Sequence, residues 1–161
     1  MVRTIFVFLL VLIATFFIDQ AIKIWAMESV NGVEYMTIMN GACIDLVLHY
    51  NRGVAFSMLE FLGDNLKFVQ LVLILGILFY VIYDGFLQKY TIAIGLIIGG
   101  ALGNLYDRFI HEGVVDYVAW HCGFNFAVFN YADVMINLGV AIILLMTYLE
   151  YREEKKKEVW K

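Results

Sequence analysis

Serine, histidine, cysteine and proline are scarce or missing in this chain, and each shortage removes a kind of chemistry. The only serines are Ser29 and Ser57. Neither sits in the Gly-x-Ser-x-Gly turn that would present a serine nucleophile. The three histidines, His49, His111 and His121, form no His-Glu-x-x-His; His111-Glu112 begins the pattern, but Val115 stands where the second histidine belongs. That argues against a zinc protease. There is no glycine-rich phosphate loop and no Gly-x-Gly-Asp. Cys43 and Cys122 are the only cysteines and form no Cys-x-x-Cys, so neither a metal nor another cofactor is called for. They read as two small residues at a membrane edge; a disulfide would require both to face an oxidising compartment. Only 16% of residues are charged, and no basic surface points to nucleic acid.

What the chain has in excess is apolar residues, 63% of the total, with a mean hydropathy of +0.81. Soluble domains are usually about 45–50% apolar. One small core cannot hide such a surplus, so the solvent is lipid. The reading is an all-α membrane protein, a single membrane domain over 1–161, with four transmembrane helices at about 4–27, 66–83, 90–108 and 132–149. The first run resembles a signal peptide, but Asp19 and Lys23 appear where a cleavage site would show small residues, so the span is read as uncleaved. Gly41-Ala42-Cys43 faintly resembles a lipoprotein cleavage box; it lies too far from the apolar run, with Asn40 where leucine is wanted. Gly95, Gly99 and Gly103 recur every fourth residue, which lets another helix approach that face closely.

Between the spans the pattern changes. Ile44, Leu46, Leu48 and Tyr50 alternate with Asp45, Val47, His49 and Asn51, which predicts a strand with one apolar face. Asn51-Arg52-Gly53 is a turn candidate, and residues 54–59 return as a second strand. This makes a small outer β-element over about 31–60. The outer loop at about 109–131 is too polar to span, and its aromatic residues suggest a short interfacial segment. Residues 151–161 form a charged tail, read as a solvated helix end.

Lysine and arginine set the orientation. Four spans place both termini on one side, with Arg3, Lys89, Arg152, Lys155, Lys156, Lys157 and Lys161; the other side carries Lys23, Arg52, Lys67 and Arg108. The seven-to-four excess puts both termini in the cytoplasm. The polar clusters then all fall at the outer face. Asp19 and Lys23 share a helix face four residues apart and turn toward protein rather than lipid. Of seven aspartates, Asp84 lies on the inner side, and Asp45 and Asp64 read as loop residues. Asp19, Asp107, Asp116 and Asp133 remain. Two carboxylates held close share a proton, and such a pair can draw a proton from water while donating another to a carbonyl oxygen. Asp133 opens a helix, where the dipole favours its ionised form, leaving the proton on Asp116.

These residues fall into five ordered motifs: Asp19-Gln20-Ala21-Ile22-Lys23; Asn51-Arg52-Gly53-Val54-Ala55-Phe56; Gly100 to Arg108 with Asn104 and Asp107; Val114-Val115-Asp116; and Phe129-Asn130-Tyr131-Ala132-Asp133. In that order, over nearly the whole length, the chain is similar to bacterial lipoprotein signal peptidase (signal peptidase II). The resemblance implies a four-helix bundle in the inner membrane with an outer β-cradle. It implies an aspartic endopeptidase that cuts diacylglyceryl-modified prolipoproteins just before the lipid-bearing cysteine. It makes Asp116 and Asp133 the catalytic pair and Asn51, Gly53, Asn104, Arg108, Asn130 and Ala132 their surround, with Asp19 and Lys23 as support. It also implies contact with membrane lipid and inhibition by globomycin. Two positions depart from the family pattern. Ala127 and Val134 stand where proline and serine are common, and a more mobile loop between the aspartates is the expectation.

The rival reading is a small transport or proton-relay subunit using Asp19, Lys23, Asp107 and Arg108 as a polar path. Its spans should then carry polar residues throughout, whereas the middle and inner thirds are nearly free of them. A non-catalytic scaffold would leave Asp116 and Asp133 without a reason to meet.

Overall fold

The computed structural model describes residues 1–53, 60–111 and 113–159. Five helices account for most of it: α1 (Val2–Ser29), α2 (Leu66–Tyr83), the single-turn α3 (Phe86–Lys89), α4 (Thr91–Ile110) and α5 (Tyr131–Val159). Among the described residues, three segments are long and apolar enough to cross a membrane: Val2–Ser29, Phe61–Tyr83 and Tyr131–Lys157. The last begins as an apolar rod and continues unbroken into the charged tail, which is helical as far as Val159.

α4 lies at the centre, packed by α1 on one side and α5 on the other. Its glycines explain how. A Cβ on Gly95 would meet Val11, one on Gly99 would meet the Leu12 carbonyl and Thr15, and one on Gly103 would meet the Asp19 carboxylate. The four-residue repeat therefore faces α1, as close-packed small residues do. Gly100 faces the other way, against the Ala132 carbonyl of α5. The inner part of the core is apolar, with Phe8, Ile74, Ala93, Ile94 and Ile98 buried together.

The end of the bundle away from that apolar core carries a three-stranded antiparallel sheet in the order β1 (Thr37–Met39), β2 (Ile44–Asn51), β3 (Val114–Trp120). β2 matches the strand read from alternation. The proposed return strand at 54–59 lies outside the described residues. The third strand comes instead from the segment read as interfacial loop, which corrects that reading. Val114-Val115-Asp116-Tyr117 is buried residue by residue. Both faces are covered, so no period-two signal shows in the sequence. β-branched and aromatic residues still favour the pleat. β2 pairs with β3 from Ile44↔Trp120 to Asn51↔Val114, with one irregularity between Leu46 and His49. Val30, Leu48 and Val115 pack beneath the sheet and join it to the end of α1.

Cys43 and Cys122 are joined as a disulfide just beyond the Ile44↔Trp120 end of this ladder, which corrects the reading of two unrelated small residues. Asp45, read as a loop residue, belongs to β2, where it accepts from the Gly41 amide.

Candidate active site

The site forms where β3, α4 and the first turn of α5 meet above the end of α1. Phe129 hydrogen-bonds both ways with Val118 along the free edge of β3. That edge pairing delivers Asn130 and α5 to a fixed place beside Asp116.

Asn130 is the N-cap of α5, and with Asp133 it makes a reciprocal capping box. Asn130 Oδ1 accepts from the Asp133 amide at 2.9 Å, and Asp133 Oδ2 accepts from the Asn130 amide at 3.2 Å. The Asn130 side chain also donates, at 2.6 Å to Asp116 Oδ1 and at 3.1 Å to Asn104 Oδ1. One fully buried asparagine therefore touches both carboxylates. Each aspartate has a second donor: Asn51 Nδ2 reaches Asp116 Oδ2 at 3.0 Å, and Asn104 Nδ2 reaches Asp133 Oδ1 at 2.8 Å. Burial raises the Asp116 carboxyl to about 7, and the nearby Asp133 carboxylate adds to the rise, against the opposing pull of Asn51 and Asn130. Burial likewise raises the neighbouring Tyr117 phenol, whose oxygen accepts from the Tyr131 amide.

Beneath this layer lies a buried ionic knot. Lys23 Nζ is 2.7 Å from Asp19 Oδ2, 2.7 Å from Asp107 Oδ2 and 2.9 Å from Asn104 Oδ1. All three charged groups are fully buried, as a pair near hydrocarbon must be to persist. Asp19 Oδ1 accepts from the Ala132 amide at 3.0 Å, and Asp107 Oδ2 from the Val115 amide at 3.0 Å. The knot thus grips the backbone next to each upper aspartate. Gln20 completes it, donating to Asp107 Oδ1 and to the Gly103 carbonyl.

Arg108 lies to one side. It donates to Gln70 Oε1 at 2.7 Å and to the Gly53 carbonyl, while the Gly53 amide donates to Asn51 Oδ1 at 3.0 Å. Its buried Nε has no partner among the described residues. All ten residues singled out from the sequence are joined in one network. Sequence reasoning gave too little weight to Asp107, and it missed Gln20 and Gln70 as partners. The Asp19 motif contains Gln20, whereas Gln70 carries no local signal because its value lies in facing Arg108 across two helices.

Above the carboxylates opens a cavity of about 760 Å³. Asp116, Asp133, Asn104 and Arg108 form its polar end. Leu73 of α2 and Leu138 and Ala141 of α5 form much of its apolar wall. Among the described residues no cluster of His, Cys, Asp and Glu is disposed to hold a metal ion. The arrangement is a paired carboxylate at the head of a greasy slot.

The family model described as Signal peptidase (SPase) II matches residues 11–149. A protein named lipoprotein signal peptidase from Sulfurovum sp. is 60% identical over 91% of this chain and 95% of its own length. One of the same name from Sulfurimonas denitrificans is 51% identical over 91% of each chain, and one from Helicobacter pylori is 43% identical over 96% and 94%. A solved bacterial membrane enzyme matches the fold with a TM-score of 0.72 at 22% identity, covering 94% of this chain and 90% of its own.

Proposed function

The chain belongs to the signal peptidase II family, and from that membership we propose that it cleaves prolipoproteins as an aspartic endopeptidase, with Asp116 and Asp133 as the catalytic pair. It is a protease that removes signal peptides from prolipoproteins. The observation that carries the aspartic reading is the Asn130 bridge, which holds two carboxylates together in unlike environments.

In the reaction, ionised Asp133 takes a proton from water, and the water oxygen attacks the scissile carbonyl carbon. Asp116 gives its proton to the carbonyl oxygen, forming a gem-diol. The diol collapses as Asp116 recovers a proton from one hydroxyl and Asp133 passes its proton to the leaving amide nitrogen. The C–N bond breaks and both aspartates regain their starting states. Asp133 is assigned the basic role because it sits in the first turn of α5, where its two carboxylate oxygens accept from the Asn104 side chain and the Asn130 amide. The unpartnered Arg108 Nε, buried at the cavity, is a ready donor to a substrate carbonyl.

The apolar wall suits the acyl chains of a diacylglyceryl cysteine, at about 0.8 kcal/mol per buried methylene. A globomycin-type inhibitor is expected in the same slot. α1, α2, α4 and α5 serve as four spans of one membrane unit, with both termini cytoplasmic and the sheet outside. α4 needs less lipid-facing surface than the others because α1 and α5 flank it. The proton-relay alternative loses support: among the described residues, the cluster inward of the knot is built of Phe8, Ile74, Ala93, Ile94 and Ile98, and its one buried hydroxyl, that of Tyr90, pairs with Thr147 rather than with the knot.

The test is cleavage of a diacylglyceryl lipopeptide by purified protein in detergent. Asp116→Asn and Asp133→Asn are each expected to abolish turnover while circular dichroism stays unchanged. The double variant should be no worse than either single one, because the pair acts as a unit. A folded single variant with near-normal turnover would end the aspartic reading, and equal cleavage of the unlipidated peptide would end the lipid-recognition reading.

A further inference from the structure

We propose that Glu34, which belongs to none of the five motifs, is a positioning residue that holds Asn51 against Asp116; this deepens the reading above and rests on it. Glu34 lies in the connection between α1 and β1. Its Oε1 accepts from the Tyr50 amide at 3.0 Å and faces His49 Nδ1 at 3.3 Å and Arg52 Nη1 at 3.5 Å. Those three residues surround Asn51, whose side chain donates to Asp116 Oδ2.

The backbone shows why a side chain is needed there. Tyr35 donates to the Leu48 carbonyl at 2.7 Å, and Leu48 donates to the Met36 carbonyl at 3.1 Å. Two residues farther along β2, the chain coming from α1 has left the edge of the sheet. The Glu34 carboxylate takes its place and accepts the next amide, that of Tyr50. The approach runs through left-handed backbone at Asn31 (φ 50°), Gly32 (φ 71°) and Tyr35 (φ 62°). For an aromatic residue this is an uncommon conformation that persists only where surrounding contacts enforce it. The Leu48 hydrogen bonds and the ring contact with His49 enforce it here. Beyond Asn51, the Gly53 amide fixes the side-chain oxygen and leaves Nδ2 aimed at Asp116. Asn51 is thus held from both ends.

The experiment reads the Asp116 carboxyl directly. ¹³C-carboxyl NMR titration of aspartate-labelled protein in micelles, with Asp116→Asn for assignment, gives its midpoint without substrate. A carboxylate that loses a donor keeps its proton to higher pH. Glu34→Ala should raise the midpoint by about one pH unit, as expected for one charge-assisted hydrogen bond. Asn51→Ala should do the same, and the two together should add nothing further. Glu34→Gln retains an acceptor for the Tyr50 amide and should restore the wild-type midpoint. In lipopeptide cleavage, Glu34→Ala should lower kcat about tenfold with little change in KM. Its alkaline limb should move upward with the midpoint. A role confined to stability would reduce folded protein and leave the midpoint in place. An unmoved midpoint, or a shift that adds to that of Asn51→Ala, would overturn the proposal. Because the midpoint is read without turnover, a wild type that fails to cleave lipopeptide would remove the peptidase reading and leave this test standing.

Discussion

Lys23 stands 2.7 Å from Asp107, and that contact ties the first helix to the strand that carries Asp116. The same Asp107 oxygen accepts from the Val115 amide, one residue before Asp116. On its other side, Lys23 meets Asp19, which accepts from the Ala132 amide, one residue before Asp133. A single buried ammonium therefore sets the spacing of the two upper carboxylates without touching either. Lys23→Met would leave Asp19 and Asp107 buried without their cation. Loss of one partner from a buried ion pair costs about 3–5 kcal/mol, so a large fall in thermal unfolding temperature in detergent is expected, with loss of cleavage. Removing all three charges together, as Asp19→Asn, Lys23→Met and Asp107→Asn, should recover much of the stability. A Lys23→Met protein as stable as wild type would refute this role.

The pH dependence follows from Asp116. Its carboxyl is raised to about 7, chiefly by burial and secondly by Asp133. A raised carboxyl holds its proton through the mildly acidic range and loses it as pH climbs past that value. If Asp116 must be protonated to donate to the carbonyl oxygen, kcat/KM should fall on the alkaline side with an apparent midpoint near 7. That midpoint belongs to the pair rather than to one residue. A rate profile flat to strongly alkaline pH would contradict the assignment of Asp116 as the acid.

Two glycines make a paired test of the packing. Gly103→Ala would drive a methyl group into the Asp19 carboxylate, whereas a Cβ on Gly76 of α2 meets nothing within 4 Å. Overpacking costs about 1–3 kcal/mol. Gly103→Ala should therefore lower both unfolding temperature and cleavage, and Gly76→Ala should leave both near wild type. Equal tolerance of the two would show that the α1–α4 contact is looser than described.

The Cys43–Cys122 disulfide closes a long loop, its ends separated by 79 in sequence. Native disulfides contribute about 2–4 kcal/mol, mainly by restricting the unfolded chain. A reductant should lower the unfolding temperature of the wild type, and Cys43→Ser with Cys122→Ser should match the reduced protein and no longer respond. The bond also bears on orientation, since it belongs on an oxidising side. A reporter active only outside the cytoplasm should be on when fused after Gly123 and off when fused at Gln88. Activity at Gln88 would reverse the topology.

Much of this was legible in the sequence, for reasons that residues make plain. The long helices announced themselves by apolar length, and the glycine repeat at 95, 99 and 103 announced the close approach of a helix, which proved to be α1. Asp19 and Lys23 declared a common face by their spacing. The strand carrying Asp116 was hidden, because Val114 to Tyr117 are buried on both faces, with α4 and α1 packed against the strand, and that erases the alternation. The disulfide was hidden for a related reason: only the β2–β3 register brings positions 43 and 122 together. Gln70 and Glu34 act across elements distant in sequence, and no local pattern marks such partners.

The cavity wall made by Leu73, Leu138 and Ala141 has a kinetic consequence. If α2 and α5 face lipid, as the proposed membrane unit requires, a slot between them is reached from within the bilayer, and encounter takes place in two dimensions. The quantity that governs turnover is then the mole fraction of substrate in the lipid phase, not its amount per litre. Adding inert lipid at fixed enzyme and fixed substrate should slow cleavage in proportion to the dilution of the surface, even though neither bulk concentration has changed.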